Sequence, residues 1–318
     1  MHVALPVFRA LADPTRIRIL LLVRRMELAV GELAQVLRQS QPRVSRHVRI
    51  LADAGLVRRF KEGAWVFVRL GEDGVTRPVM MALDSWDEGE AVADTARLAA
   101  VRAERASAAE DYFTAQAATW DQVRSAHVAE CDVEAAILGA LASRPLGTLL
   151  DVGTGTGRMI ELLGGSARTA IGIDRSPEML RLARGKIEAA GLAHAEVRHG
   201  DMFALPQSNA SVDTVVLHQV LHFADAPGLA IAEAARVLAP GGRLLVADFA
   251  PHDREELRAK YAHLRLGFDD AQVSAWMDDA GLDARVVAHL AAPAGVDQPL
   301  TVALWLGERP PFQQQVAA

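Results

Sequence analysis

Alternating glycines and two acidic residues carry the most specific chemistry in this sequence. An apolar run leads through Asp151 into Gly153, Gly155 and Gly157. Glycines at alternate positions after a strand let the backbone approach a ligand closely, because no Cβ atom stands in the way. A second apolar run ends in Asp174, whose two carboxylate oxygens can accept hydrogen bonds from neighbouring hydroxyl groups. The spacing predicts a site for an adenosine-containing cofactor.

Other cofactor classes and metals fit this stretch poorly. A nicotinamide-binding loop has a glycine where this chain has Arg158, and no loop typical of nucleoside triphosphate binding occurs. His218 and His222 have the spacing of a helical metal pair, but they follow a predicted strand, and Gln219 replaces the glutamate of the zinc-protease motif. Cys131 is the only cysteine, which excludes a disulfide framework and a thiolate cluster. We therefore expect no metal site.

Charge is distributed unevenly along the 318 residues. Residues 1–71 hold 13 Lys and Arg against 5 Asp and Glu, a net charge of +8, while the remainder holds 21 against 35, a net charge of −14. A basic segment joined to an acidic one predicts a nucleic-acid-binding domain followed by a small-molecule-binding domain. The sequence has 51% hydrophobic residues, no secretion signal and no apolar run of membrane-spanning length, which is typical of a soluble cytoplasmic protein.

The basic segment contains a predicted helix-turn-helix. Two short helices, at 30–37 and 42–54, flank a four-residue turn. At about 100° per residue, Val44, Val48 and Leu51 lie on one side of the second helix, and arginines lie on the other. Arginine reads guanine edges or holds phosphates, so a DNA-facing helix is predicted, with a merely solvated charged face as the alternative. A hairpin with a basic tip follows and predicts a wing along the DNA backbone. The predicted DNA-contacting residues are Gln41, Arg43, Ser45, Arg46, Arg49, Arg59 and Lys61.

This segment resembles the ArsR/SmtB family of winged helix-turn-helix repressors over nearly all of residues 1–71. The matching segments are ADPTR at 12–16, GELA at 31–34, QPRVSRH at 41–47 and AGLV at 54–57. The resemblance implies a homodimer on a roughly palindromic double-stranded DNA operator. The cysteines that many metal-sensing members carry beside the first helix of the motif are absent, and no histidine lies between His47 and His127. The family's usual metal sites are therefore not expected here.

Residues 72–110 are predicted to connect the two domains. Stretches rich in Ala, Arg and Glu at 76–86 and 88–109 predict two helices. The resemblance to winged-helix dimers implies that this region is the dimer interface, and a solvated connecting helix is the alternative. The aromatic segment that follows contains Tyr112 and Trp120. It either folds over the cofactor as a lid or caps the sheet.

From residue 111 to residue 318, predicted strands and helices alternate. The predicted strands are at 148–152, 169–173, 195–199, 212–217 and 243–247, with an antiparallel pair at 284–290 and 300–306. Such alternation predicts an α/β, doubly wound, Rossmann-like fold with helices on both faces of a parallel sheet.

This second domain resembles the class I S-adenosylmethionine (SAM)-dependent methyltransferases, and in particular ubiquinone/menaquinone-type enzymes. The resemblance lies in YF at 112–113, WD at 120–121, DVGTGTG at 151–157, Asp174, GDM at 200–202, HQVLH at 218–222 and PGGRL at 240–244. It implies that the glycines hold the methionine part of SAM and that Asp174 accepts the ribose hydroxyls. It also places the adenine amino group on Asp201 and the adenine ring against Met202. Asp151 would position the loop or, through water, the ligand ammonium, and His218 would face the cofactor sulfur.

No residue in the sequence is a decisive catalytic base, so the catalytic residues stay unassigned. The candidates are His218, His222, Tyr261 and His263. A substrate-facing cap is expected at residues 251–283, and its Tyr261, His263, Arg265 and Phe268 either bind an acceptor or only pack the cap.

Two functions remain open at this point. The first is an ArsR-type transcriptional regulator whose second domain senses SAM or S-adenosylhomocysteine (SAH). The alternative is an active methyltransferase for a small molecule, with the DNA-binding domain regulating its own gene. Methylation of DNA itself is set aside, because no N-P-P-Y-like or Pro-Cys motif follows the fourth predicted strand.

Overall fold

The chain folds into two compact units, Met1–Ala108 and Ala109–Ala318. The computed structural model describes residues 4–62, 64–71, 73–84, 89–116, 130–291 and 300–311. Three sequence predictions fall outside these residues: the hairpin tip at Gly63, the segment with Trp120 and Asp121, and the turn at Ala294 and Gly295. None of the described helices combines the length and the apolar character that a bilayer crossing requires.

The first unit is helical with a small three-stranded antiparallel sheet of order β1-β3-β2. Its elements are α1 (Ala4–Leu11), α2 (Pro14–Val23), β1 (Leu28–Ala29), α3 (Val30–Leu37), α4 (Gln41–Asp53), β2 (Val57–Glu62), β3 (Trp65–Leu70) and α5 (Asp73–Asp84), followed by α6 (Gly89–Gln116). Local contacts fix the start of α2 and the end of α4. The Asp13 carboxylate accepts the backbone N–H of Thr15 at 2.8 Å, and Gly55, after α4, adopts a positive φ of 72°. The sequence analysis did not predict α1.

The first half of α6 packs against the helix-turn-helix of the first unit. Asp94 is almost fully buried and accepts two hydrogen bonds from Arg18 of α2, at 2.6 and 2.7 Å. Arg97 donates to the Asp94 carboxylate and, at 2.6 Å, to the carbonyl of Val36 at the end of α3. Burial alone would raise the pKa of Asp94, but the hydrogen bonds from the two arginines outweigh it and lower that pKa. This face of α6 is therefore an internal contact of the first unit rather than a solvated one.

The second unit is a seven-stranded, mostly parallel sheet with helices on both faces, which confirms the predicted α/β fold. The strands are β4 (Thr148–Val152), β5 (Thr169–Asp174), β6 (Ala195–His199), β7 (Val212–His218), β8 (Leu238–Phe249), β9 (Asp283–Ala291) and β10 (Thr301–Glu308). The helices are α7 (Glu130–Leu141), α8 (Arg158–Leu163), α9 (Pro177–Ala189), α10 (Pro227–Val237), α11 (Glu256–Tyr261) and α12 (Asp270–Asp279), and short 3-10 helices lie at Gly164–Ser166 and Leu221–Phe223. Cys131, near the start of α7, is an exposed free thiol.

Strand order explains where a site can form in the second unit. The order is β6-β5-β4-β7-β8-β10-β9, and β10 pairs antiparallel with both β8 and β9, as predicted for the last two strands. The chain adds β5 and β6 on one side of β4 and then crosses to add β7 and β8 on the other side. Ligands of such sheets bind in the crevice at the carboxyl ends of the strands where the order reverses. That crevice lies between β4 and β7.

Candidate cofactor site and nucleic-acid interface

Helix α4 separates its apolar and basic residues onto two faces. Val44, Val48 and Leu51 are buried against the rest of the first unit, so the sequence places the arginines on the outside. The side chains on the outer face are Gln41, Arg43, Arg46 and Arg49, all exposed, and Ser45, partly buried. The five predicted residues therefore lie on one helix with its basic face towards solvent, the arrangement that a major-groove helix needs.

His47 lies on the inner side of the same helix. Its side chain is buried, and its Nδ1 lies 3.9 Å from Oδ1 of Asp13, the residue that caps α2. Burial lowers the pKa of His47, and the nearby positive charges of Arg16, Arg43 and Arg46 lower it further, against the opposing effect of Asp13. The arginines, rather than His47, thus supply the positive charge of α4.

The hairpin of β2 and β3 carries the other two predicted DNA contacts. Arg59 and Lys61 are exposed on β2. The guanidinium of Arg69 on β3 lies 4.1 Å from the ring centroid of Phe60. This contact ties the two strands together, so the hairpin presents Arg59 and Lys61 from a regular two-stranded ladder.

The glycine loop follows β4, and its conformation requires glycine. Gly153, Gly155 and Gly157 have φ values of 73°, 52° and 84°, in the left-handed region that side chains with a Cβ disfavour. A Cβ on Gly153 would lie 2.2 Å from Cγ2 of Val220, and one on Gly157 would lie 3.0 Å from Cβ of Ala183. The loop is thus packed closely on one side, which leaves its backbone to face the crevice.

Asp151 is buried at the end of β4 and stabilises the loop from beneath. The hydroxyl of Thr154 donates to its carboxylate at 2.5 Å. Of the two roles expected for Asp151, this contact supports positioning of the loop.

Asp174 lies at the end of β5, beside the glycine loop. Its carboxylate accepts the backbone N–H of Gly155 and that of Ser176, each at 2.8 Å. Burial raises the pKa of Asp174, although the backbone hydrogen bonds from Ser176, Gly155 and Arg175 oppose that rise. One carboxylate therefore joins the glycine loop to the start of α9, and the three backbone donors leave it one further lone-pair position for a ligand hydroxyl.

Asp201 and Met202 form a tight turn directly beside Asp174. The backbone N–H of Gly200 donates to the carbonyl of Asp174 at 3.0 Å, and the Asp201 carboxylate accepts the N–H of Phe203 at 3.0 Å. Met202 is partly buried and packs against the apolar cluster under the sheet. The predicted cofactor residues on β4, β5 and the turn after β6 are thus brought to one edge of the sheet. Two carboxylates that can accept hydrogen bonds and one apolar side chain fit an adenosine-containing ligand.

His218 and His222 lie at the end of β7 but have different surroundings. His218 is the last residue of β7, is buried, and is paired in register with Ala247 of β8. His222 lies in the short 3-10 helix that follows, and its Nδ1 is 2.7 Å from Oδ1 of Asp248. The side chains of His222 and Asp248 are only 3% and 0% exposed, so this is a fully buried imidazole–carboxylate pair.

Asp248 was not among the predicted site residues. The fifth predicted strand ended at Ala247, whereas β8 continues to Phe249. The signal was available, since Asp248 is an acid at the carboxyl end of a predicted strand, as Asp174 is.

Aromatic side chains surround His222. Ring centroids of Phe223, His263 and Phe249 lie 4.0, 4.2 and 4.9 Å from that of His222. Phe113, from the predicted lid segment, packs edge-on against Phe223 at 4.8 Å. The structure therefore brings the aromatic end of α6 and the loop after β7 together within the second unit.

Two of the expected cap residues do not face a substrate site. Arg265 and Phe268 are each only 1% exposed, and Phe268 packs edge-on against Trp276 of α12 in the apolar core. Of the two roles expected for these residues, their burial fits packing of the cap. His263 and Tyr261, by contrast, lie near His222 and near each other.

Known proteins match the two units separately. Residues 13–59 match the family described as bacterial regulatory protein, arsR family, and residues 150–246 match a methyltransferase domain. An uncharacterized HTH-type transcriptional regulator of Methanocaldococcus jannaschii is 40% identical over 73 residues, which are 23% of this chain and 82% of that protein. The demethylmenaquinone methyltransferase of Thermus thermophilus is 44% identical over 108 residues, 32% of this chain and 47% of that enzyme.

A solved structure supports the fold of the second unit. In the complex between the Trm112 methyltransferase activator of Haloferax volcanii and a methyltransferase, the matching chain is 25% identical, with a TM-score of 0.51. The match covers 62% of this chain and 97% of that one. For several of its curated relatives, this chain spans only about half of their length.

Fold and site together define a winged helix-turn-helix unit joined to a Rossmann-like methyltransferase unit. The chain belongs to the ArsR family of bacterial regulators through its N-terminal unit, and a methyltransferase domain is fused to that unit. Within the described residues, no group of three His, Cys, Asp or Glu side chains is placed to hold a metal ion.

Proposed function

We propose that this protein is a transcriptional regulator whose affinity for its operator is set by SAM or SAH bound in the second unit. The observation behind this proposal is that one chain combines two features. The Asp174 carboxylate is hydrogen-bonded to the glycine loop, and the outer face of α4 is basic. The Asp174 carboxylate would hold the ribose hydroxyls, and Asp201 with Met202 would hold the adenine. The backbone of the glycine loop would face the methionine part.

The proposed operator-binding form is a homodimer that binds a roughly palindromic site. Large apolar side chains on the first unit support this proposal: Leu5 and Phe8 of α1 are 54% and 68% exposed, and Met81 of α5 is 66% exposed. Exposed apolar side chains concentrated on two helices are typical of a protein–protein interface. Part of the connector, α5, thus belongs to the proposed interface.

The proposal is tested by measuring operator affinity with and without each ligand. A DNA duplex selected by the protein from a random pool is titrated with protein alone, with SAM and with SAH, using fluorescence anisotropy. Ordinary coupling energies of about 1–3 kcal/mol change the affinity roughly 5- to 150-fold. A change below about twofold with both ligands, when calorimetry confirms that they bind, would refute the sensor function.

Methyl transfer to a small molecule is a second candidate function, and the buried His222–Asp248 pair favours it. An imidazole oriented by a carboxylate is a common general base, which a pure ligand sensor does not require. The test is transfer of label from methyl-labelled SAM to metabolites of a cell extract. A repeated absence of labelled product, with SAM bound, would count against catalysis.

A further inference from the structure

We infer that the aromatic cluster around His222 is an acceptor site for an uncharged aromatic hydroxyl compound, and that His222 accepts the proton of that hydroxyl. The inference rests on the proposed cofactor site only for the source of the methyl group. The acceptor site and the proton acceptor are argued from residues of this chain alone.

The hydrogen bond to Asp248 decides which nitrogen of His222 can act as a base. The Asp248 carboxylate is an acceptor, so Nδ1 of His222, 2.7 Å from Oδ1, carries the ring proton. Nε2 of the neutral ring then has a lone pair and can take a proton. Asp248 also stabilises the imidazolium that results, which makes it a positioning residue for His222.

The same carboxylate has no capacity left for a cationic ligand. Oδ1 of Asp248 accepts Nδ1–H of His222 and the backbone N–H of Phe249 at 2.8 Å. Oδ2 accepts the backbone N–H groups of Leu221, at 2.9 Å, and of His222, at 3.3 Å. Four donors use the four lone-pair positions of a carboxylate. An ammonium group beside His222 would therefore lie among aromatic rings without this counter-ion, which disfavours an amine as the acceptor.

Two other titratable groups of this region, His252 and Tyr112, are uncharged near neutral pH. His252 follows β8, and burial, together with the nearby His222 and Arg254, lowers its pKa to about 4. Burial and the neighbouring Tyr261 raise the pKa of Tyr112 to about 12. Phe223 and Phe249 pack against the His222 ring, so its surroundings are largely aromatic and apolar, which matches a planar uncharged ring.

His252 also offers a polar anchor for a hydroxyl oxygen. Its Nδ1 accepts the backbone N–H of Arg254 at 3.3 Å, so Nε2 carries the proton. That Nε2 is buried and has no hydrogen-bond partner among the residues that the structure describes. A buried N–H donor beside a proton-accepting imidazole suits an O–H group, which both donates and accepts.

The proposed step is a proton transfer within this site. The O–H bond of the aromatic hydroxyl breaks, the proton forms an N–H bond with Nε2 of His222, and the oxygen keeps the electron pair. The products are an imidazolium held by Asp248 and an aromatic oxyanion that is a stronger nucleophile than the neutral hydroxyl. A bound sulfonium cofactor would supply an electrophilic methyl group to this oxyanion and leave as a neutral thioether.

The test uses 4-nitrophenol as a coloured probe with the full-length protein and no cofactor. At a fixed pH below the pKa of the free probe, binding to the wild-type protein should raise the ionised fraction of the probe at least about tenfold. One charge-assisted hydrogen bond, about 1.5–3 kcal/mol, corresponds to roughly one to two pKa units. Absorbance of the nitrophenolate gives the ionised fraction directly. The titratable groups close to His222 in this experiment are Asp248, His252 and His263, and Tyr261 lies against His263.

Two variants and a second probe separate the proton transfer from binding. His222→Gln keeps an N–H donor for Asp248 but is no base, so it should lose the ionisation while still binding 4-nitroanisole. His289→Gln, at a half-exposed histidine on β9, is the matched control and should behave as wild type. Should His222→Gln unfold, the ¹⁵N spectrum of wild-type His222 gives the same answer, because Nε2 must gain a proton when the probe binds.

Three outcomes would overturn the inference: no saturable binding of either probe, binding without ionisation, or ionisation that persists in His222→Gln. The result stands apart from the proposed regulatory function. Loss of SAH binding with probe ionisation intact refutes only the cofactor site, and the reverse result refutes only the acceptor site.

Discussion

Replacing Asp174 with alanine should weaken SAH binding about 10- to 150-fold. The substitution removes the carboxylate that lies between the glycine loop and α9, and with it the proposed acceptor of the ribose hydroxyls. A hydrogen bond to a charged group contributes about 1.5–3 kcal/mol, and each 1.4 kcal/mol is a factor of ten in Kd. Ser176 still caps α9 by accepting the N–H of Met179, so the helix should persist. Isothermal titration calorimetry measures the change directly.

The affinity of the wild-type protein for SAH should also depend on pH through Asp174. Burial raises the pKa of Asp174, and ligand hydroxyls donate best to the ionised carboxylate. SAH affinity should therefore be highest above this raised pKa. It should fall as the pH drops through that pKa, at a higher pH than an ordinary aspartate would require. In Asp174→Ala this part of the pH dependence should disappear.

A matched control is Glu178→Ala, which removes an acid one turn after Asp174. Glu178 is a half-exposed residue of α9 whose carboxylate pairs with Arg181 of the same helix. This substitution should leave both the affinity and its pH dependence unchanged. An Asp174→Ala protein that binds SAH as tightly as wild type, or keeps the same pH dependence, would show that the ribose lies elsewhere.

Three further outcomes are expected. Arg46→Ala should abolish sequence-specific DNA binding in an anisotropy titration and leave SAH affinity unchanged, because α4 and the glycine loop lie in separate units; equal loss of both would contradict this division. Phe8→Glu should convert the dimer to a monomer in sedimentation velocity. The control Leu138→Glu, at an exposed apolar residue of α7, should stay dimeric. A Phe8→Glu protein that stays dimeric would place the interface elsewhere. Asp94→Asn should destabilise the first unit by about 3 kcal/mol, measured by hydrogen exchange in α2, because it leaves the partly buried Arg18 and Arg97 without the charge of their buried partner. Asp84→Asn, at an exposed pair, should cost less than about 1 kcal/mol, and a similar cost for both would show that burial of Asp94 contributes little.

The sequence was sufficient to predict the strands and loops that define the cofactor edge. Apolar runs that end in Asp151 and Asp174 gave β4 and β5, and alternate glycines gave the loop between β4 and α8, because these features depend on local backbone requirements. The last two strands could be paired as an antiparallel hairpin for the same reason. The buried and exposed faces of α4 followed from helical periodicity alone.

Contacts between residues far apart in sequence could not be predicted in this way. Arg18 meets Asp94 across 76 positions, and nothing in the local pattern of α6 distinguishes this acid from its exposed neighbours. The cap at residues 251–283 also shows that residue type alone does not predict which side chains are exposed. Arg265 and Phe268 have residue types common in binding sites, yet tertiary packing buries both of them.

The exposed thiol of Cys131 gives this protein a single natural labelling position. Since the chain has no other cysteine, one fluorescent dye or spin label attaches to the wild-type sequence without any substitution. A label on Cys131 lies near the start of α7, the helix before β4. The spectrum of that label can report on its surroundings in the second unit when nucleoside ligands are added. In a dimer, one label on each protomer would provide a molecular ruler, and the distance between the two labels could be followed as DNA and ligand are exchanged.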